Sequence, residues 1–145
     1  MKDLIHGAKW WKFDFHNHTP ASNDFGKGDL IHKAITPENW LLMYMRAGLD
    51  CVAITDHNSG VWIDKLKAAL AEMEIAEPKP EGYRKLHLFP GVEISATGNI
   101  HILALFDPSA GTAEIQSLLG AIRFPIQHIG TTDAVSPESV ENVIN

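Results

Sequence analysis

The chain has 145 residues, of which 45% are hydrophobic and 21% charged, enough for one domain that buries about 70% of its unfolded surface. Twelve Lys+Arg against eighteen Asp+Glu give a net charge of −6, and with no basic stripe this argues against nucleic-acid binding by electrostatics alone. No apolar run reaches the roughly 18 residues of a membrane span, the first twelve residues lack a secretory h-region, and the single cysteine, Cys51, excludes an internal disulfide. These features predict a cytoplasmic location without membrane contact.

The first element is read from Phe13-Asp14-Phe15-His16-Asn17-His18. On a strand, Asp14, His16 and His18 share one face, and Phe13 and Phe15 the other; Thr19-Pro20 ends the run. Two imidazoles at i and i+2 can grip one metal ion. The segment Ser22 to Asp29 is rich in Gly, Asp and Asn and predicts a loop folding back over that pair. A helix follows, with Thr36 as N-cap, Pro37 in the first turn, Trp40, Tyr44 and Ala47 on one stripe, and Gly48 at its end.

Cys51 to Thr55 is a short, β-branched apolar run and predicts a buried strand, with Cys51 a small core residue. Asp56-His57-Asn58 stands directly after it. A second helix is expected from about 61 to 76, with Leu66, Leu70 and Met73 buried and Pro78-Lys79-Pro80 as the stop. Polar residues 81–85 precede two strand-like runs, 86–89 and 92–95, separated by Pro90-Gly91. A further strand is expected over 100–106, and a third helix from Thr112 with Ile115, Leu118, Leu119 and Ile122 as its apolar face. Residues 136–145 read as a helix that has only begun, so the chain is expected to be the amino-terminal part of something longer.

Eight histidines are the unusual feature of the composition. His6, His32, His87 and His128 are expected to be ordinary surface or satisfied residues. His16/His18, Asp56-His57, Glu93 and His101 stand at the ends or starts of expected strands, where a sheet brings remote positions into one pocket. Imidazole with carboxylate suits zinc, manganese or iron better than calcium. Glu93 can bridge two ions, and Asp24 on the loop can add a further ligand.

His16-x-His18 after an apolar strand, Ile54-Thr55-Asp56-His57-Asn58, Pro90-Gly91-Val92-Glu93-Ile94-Ser95 and the following His101 together resemble the motifs of the PHP (polymerase and histidinol phosphatase) domain. The resemblance implies an α/β fold, part of a distorted (β/α)7 barrel, with up to three metal ions at the carboxyl ends of the strands. It also implies hydrolysis of phosphate esters. His16 and His18 would hold one ion, Glu93 would bridge it to a second held by His101, and Asp24 with His57 would serve a third. Asp56, assigned a part in catalysis, and Asp14 would orient the imidazoles.

The opening from Gly7 to Ser22 is similar to PHP modules at the front of longer proteins carrying an AAA-like or SMC-like ATPase. Two departures from the family pattern stand out. The loop acid sits in Ser22-Asn23-Asp24, one residue longer than the usual Ser-Asp-Gly, and the later Ala-His-Pro and Asp-x-His motifs are absent. The likeness therefore spans nearly all of this chain but only the first half to two-thirds of a full family domain.

Function is then expected to be metal-dependent hydrolysis of a phosphoester, on a phosphorylated small molecule or a nucleic acid. A non-catalytic module within a larger assembly and a metal-dependent nuclease are the alternatives. A barrel that stops early leaves an open strand edge, which predicts self-association or an open sheet with a partial site.

Overall fold

The computed structural model describes residues 10–98, 100–131 and 141. Four strands form one sheet in the order β1-β2-β3-β4: β1 Phe13–Asp14, β2 Cys51–Ile54, β3 His87–Ala96 and β4 Ile100–Leu105. The helices are α1 Leu30–Lys33, α2 Pro37–Arg46, α3 Ile63–Ile75 and α4 Thr112–Ala121, followed by a 3-10 turn at Ile126–His128. β1, β2 and β3 run parallel, as strands joined by helical crossovers do, and β4 returns antiparallel to β3. This is a mixed α/β architecture. The β3–β4 hairpin stands where a uniform strand-helix alternation would have placed a helix. No helix among the described residues is long and apolar enough to cross a membrane.

Alternation along the strands sorts the two faces of the sheet. Val52, Ile54, Leu88, Val92 and Ile94 join Trp40, Leu41 and Met45 of α2, Ile63, Leu66 and Met73 of α3, and Ile115 and Leu119 of α4 in one buried cluster. Each fully buried Leu or Ile there stabilises the fold by about 1.5–3 kcal/mol relative to exposure. The opposite face carries Phe13, Phe89, Glu93, His101, Leu103 and Leu105. No helix of the cluster covers it, and Leu103 and Leu105 remain 39% and 40% exposed. Phe13 stacks on Phe15 with ring centroids 3.7 Å apart, and Phe89 lies 5.0 Å from Phe13.

Several sequence expectations are corrected. Regular pairing in the first strand ends at Asp14, so His16 and His18 stand beyond it. There the Thr55 side chain takes over part of the ladder: Asn17 N–H donates to Thr55 Oγ1 at 3.0 Å, and Thr55 N–H donates to the Asn17 carbonyl at 2.8 Å. The two short runs around Pro90-Gly91 are one continuous strand. Pro90 accepts from Phe106 N–H at 2.8 Å, so its missing N–H falls on the β4 side, at the end of that ladder, where no pairing is lost. Gly91 is required there, because a Cβ would lie 2.8 Å from the Ala104 carbonyl oxygen and 3.1 Å from that of Ile54.

Thr36 caps α2 through Asn39 N–H, with Pro37 at its start. Its buried side is Trp40, Leu41, Leu42 and Met45, while Ala47 is exposed, since the helix packs on both α3 and the sheet. α3 begins at Ile63, and Leu70 is half-buried. Cys51 is a buried core residue. α4 buries Ile115 and Leu119, with Leu118 partly buried against the core and Ile122 buried just after the helix. The expected terminal helix at 136–145 lies outside the described residues apart from Glu141, and His6 also lies outside them.

Candidate metal centre

Every candidate ligand but Asp24, which comes from the loop after β1, is delivered by the sheet to one end of its strands. His16 and His18 follow β1, and His57 follows β2, where it forms a parallel bridge with Glu93 of β3. His101 lies across the hairpin, opposite Ser95, on the face that bears Glu93. The main chain at Glu93 is fixed on the His57 side by Glu93 N–H to the Asp56 carbonyl at 3.0 Å and Asn58 N–H to the Glu93 carbonyl at 2.8 Å. Trp40, fully buried in α2, donates its Nε1–H to the His18 carbonyl at 3.0 Å and ties that segment to the core.

Four imidazoles converge on the Glu93 carboxylate, whose residue is 2% exposed. Its Oε2 lies 2.9 Å from His16 Nε2, 2.9 Å from His18 Nε2 and 3.2 Å from His57 Nδ1, and its Oε1 meets His101 Nδ1. Asp24 Oδ2 sits 3.3 Å from both His18 Nδ1 and His57 Nε2. The result is three overlapping trios, His16/His18/Glu93, His18/Asp24/His57 and His57/Glu93/His101, each with ligand atoms within 4.8 Å of one another. The six residues named as metal ligands from the sequence therefore lie together.

The electrostatics are those of a carboxylate surrounded by donors. Burial works to raise the Glu93 pKa, but the hydrogen bonds from His18, His16 and His101 and the charge of His57 win, holding it well below the usual carboxylate range. Burial works to lower the His18 pKa, yet the bond to Glu93 and the charges of Asp24, Glu93 and Asp56 leave it above its ordinary 6.5.

A cation fits this arrangement on two counts. Among the described residues, Asp24 Oδ1 and His57 Nδ1 are buried side-chain atoms without a hydrogen-bond partner, which is costly in a packed interior unless something else satisfies them. The donor set, imidazole nitrogen with carboxylate oxygen, is that of the borderline divalent metals. Beside it an open cleft of about 360 Å³ is lined by His16, Asn17, His18, Phe25 and Tyr44.

Asp56 and Asp14 do not orient the imidazoles in the way expected of them. Asp56, fully buried, spends its oxygens on the Thr19 N–H and hydroxyl, both at 2.6 Å, and on the Ser22 hydroxyl at 2.8 Å. Burial raises its pKa despite those three bonds. Asp14 accepts from the His16 main-chain N–H at 3.2 Å. Thr19 and Ser22 are the residues that sequence reasoning passed over, and two hydroxyls shortly before a candidate loop ligand were the available signal. His32 pairs with Asp29 at the surface, and His87 packs edge-on against Trp11.

No known family profile matches the chain and no curated protein matches it. Among solved structures, a protein from Bifidobacterium adolescentis, described provisionally as a metal-dependent phosphoesterase, is similar at 24% identity and a TM-score of 0.44. The alignment covers 78% of this chain and 35% of that one, so the chain spans about a third of its length.

Proposed function

We propose that this chain carries the metal centre of a phosphoesterase, hydrolysing a phosphate ester at a multinuclear site of up to three zinc, manganese or iron ions. The observation that carries the reading is the convergence of four imidazoles on the two oxygens of Glu93, with Asp24 closing a further trio. Three nitrogens crowd one carboxylate oxygen, more than its lone pairs accept as hydrogen bonds, which is the pattern of ligands gathered around cations. The PHP-like motifs supply the same assignment from the sequence.

In this reading His16, His18 and Glu93 hold one ion, Glu93 with His57 and His101 a second, and Asp24 with His18 and His57 the third. Bound divalent ions supply Lewis acidity, which makes water acidic enough to attack near neutral pH and offsets the charge on phosphate oxygens. The chain's own contribution is geometric. Glu93, anchored through its main chain, fixes the spacing of the trios, and the buried hydroxyls of Thr19 and Ser22 hold the loop that brings Asp24 in. His16, with half its side chain exposed, stands at the rim where the cleft admits substrate. Tyr44 on the cleft wall has its pKa raised by burial and by the charges of Asp14 and Asp56. Its phenol stays protonated at neutral pH and is able to donate to a phosphate oxygen.

The substrate is a phosphorylated small molecule or a nucleic acid. Elemental analysis of the purified protein, followed by a phosphomonoester and phosphodiester screen with added zinc, manganese or iron, tests the proposal. Stoichiometric metal that disappears in His16→Ala/His18→Ala, with hydrolysis that follows the metal, is the expected result. Metal without hydrolysis of any ester would turn the reading toward a non-catalytic module, and absence of metal would overturn it.

A further inference from the structure

Asp24 reaches the cluster from a segment, residues 20–28, made of turns rather than strand or helix. No sheet ladder fixes it, yet its Oδ2 lies 3.3 Å from both His18 Nδ1 and His57 Nε2. Something outside the ligand set must set that placement.

Two cross-links do so, and both join the Asp24 segment to His57. In the first, the Ser22 hydroxyl donates to Asp56 Oδ1 at 2.8 Å and accepts from His57 N–H at 3.0 Å. One oxygen thereby connects the loop to the residue before His57 and to His57 itself. Asp56 holds the start of the same loop through both the N–H and the hydroxyl of Thr19. In the second, Gly130 N–H donates to the His57 carbonyl at 2.9 Å, while the Gly130 carbonyl accepts from Asn23 N–H at 2.9 Å. Gly130 has φ +77°, and a Cβ on it would lie 2.3 Å from the Ala21 carbonyl oxygen, so only glycine lets this strap lie flat on the loop.

The residues on either side of this clamp are telling. Ser22 and Asn23 immediately precede Asp24; Ser22 accepts from the His57 N–H directly, and Asn23 bonds Gly130, which in turn bonds the His57 carbonyl. Ser22, Thr19 and Asp56 are at most 3% exposed, so their bonds operate away from water, where a polar network is rigid and costly to break. The contacts of the Glu93 side-chain oxygens are instead with the ring nitrogens of His16, His18, His57 and His101.

We propose that Ser22, Asp56 and Gly130 are positioning residues that lock Asp24 onto His57, so that a clamp of its own adds Asp24 to His18 and His57, which the Glu93-centred trios share. This rests on the metal reading of the cluster. The clamp explains how an acid on an irregular loop is brought to ligands placed by the sheet. It also gives buried Asp56 a role through the loop rather than through an imidazole.

The test uses manganese or zinc titrated into the metal-free protein, with bound equivalents counted by elemental analysis and affinity read by calorimetry. Asp24→Ala is the reference for loss of the trio. Ser22→Ala removes one oxygen atom, and Gly130→Ala pushes on the loop from the other side. Each is expected to keep a wild-type far-ultraviolet spectrum and to weaken the same equivalent that Asp24→Ala loses, by about 10–100-fold, with the other equivalents retained. Ser22→Ala added to Asp24→Ala should cause little further loss, since both act on one trio. Amide exchange at Asn23 and His57 should quicken in Ser22→Ala even without metal. Clamp variants that bind with wild-type stoichiometry and affinity, while Asp24→Ala loses an equivalent, overturn the clamp alone. A wild-type protein that takes up no divalent ion overturns the metal reading and the proposal with it.

Discussion

Asn58 and Ser95 exchange two hydrogen bonds: Ser95 N–H donates to Asn58 Oδ1 at 3.0 Å, and Asn58 Nδ2–H donates to Ser95 Oγ at 3.3 Å. Asn58 is fully buried and holds φ +50°, in the left-handed region that Asn tolerates better than most residues. Together with Asn58 N–H on the Glu93 carbonyl, the pair grips β3 at and just after the central carboxylate. Asn58→Ala should cost about 1–3 kcal/mol in denaturant unfolding, because it strands a buried Ser95 N–H. It should also weaken metal retention, although Asn58 itself is no ligand.

Gly91→Ala places a methyl group between two carbonyl oxygens and against Leu105, none of which is a flexible chain end free to yield except the leucine. Overpacking of this kind costs about 1–3 kcal/mol. The variant should unfold at lower denaturant concentration with an unchanged slope.

Metal should stabilise as well as activate. A ligand that binds only the native state adds about 2.7 kcal/mol at a hundred times its dissociation constant, so the melting temperature should rise with added zinc or manganese and fall with a chelator. Glu93→Gln should abolish most of that response. A melting temperature indifferent to both metal and chelator would count against the site.

Tyr44 carries a pH signature independent of the ligands. Its folded pKa lies above the ordinary 10.0, so the contribution of its neutral phenol is fully present below pH 10 and is lost as pH rises beyond it. Alkaline destabilisation followed by denaturant melts should be smaller in Tyr44→Phe than in the parent.

The legible parts of the fold were those where a local signal and the tertiary outcome agree. Thr36-Pro37 announces a helix start and delivers one, and Cys51 to Ile54 is apolar because both faces of that strand are buried. Pro90 misled, because proline reads as a break unless the side of the strand that its nitrogen faces is known. The ending of β1 at Asp14 was hidden for a related reason: a side chain, Thr55 Oγ1, replaces a backbone partner there, which alternation cannot show. At the site, the ligand types were visible at strand ends, whereas the roles of the Thr19 and Ser22 hydroxyls were not, since their shared partner Asp56 stands 37 and 34 positions away.

Those sequence separations bear on how the centre comes into being. Glu93 and His101 are eight residues apart across a hairpin, whereas His16 and His18 are 77 and 75 residues from Glu93. Local pairs close early and cheaply, and distant parallel pairings close late. A refolding chain can therefore close the hairpin pair well before the amino-terminal histidines dock, and a complete ligand set reports that the most remote strand is in place.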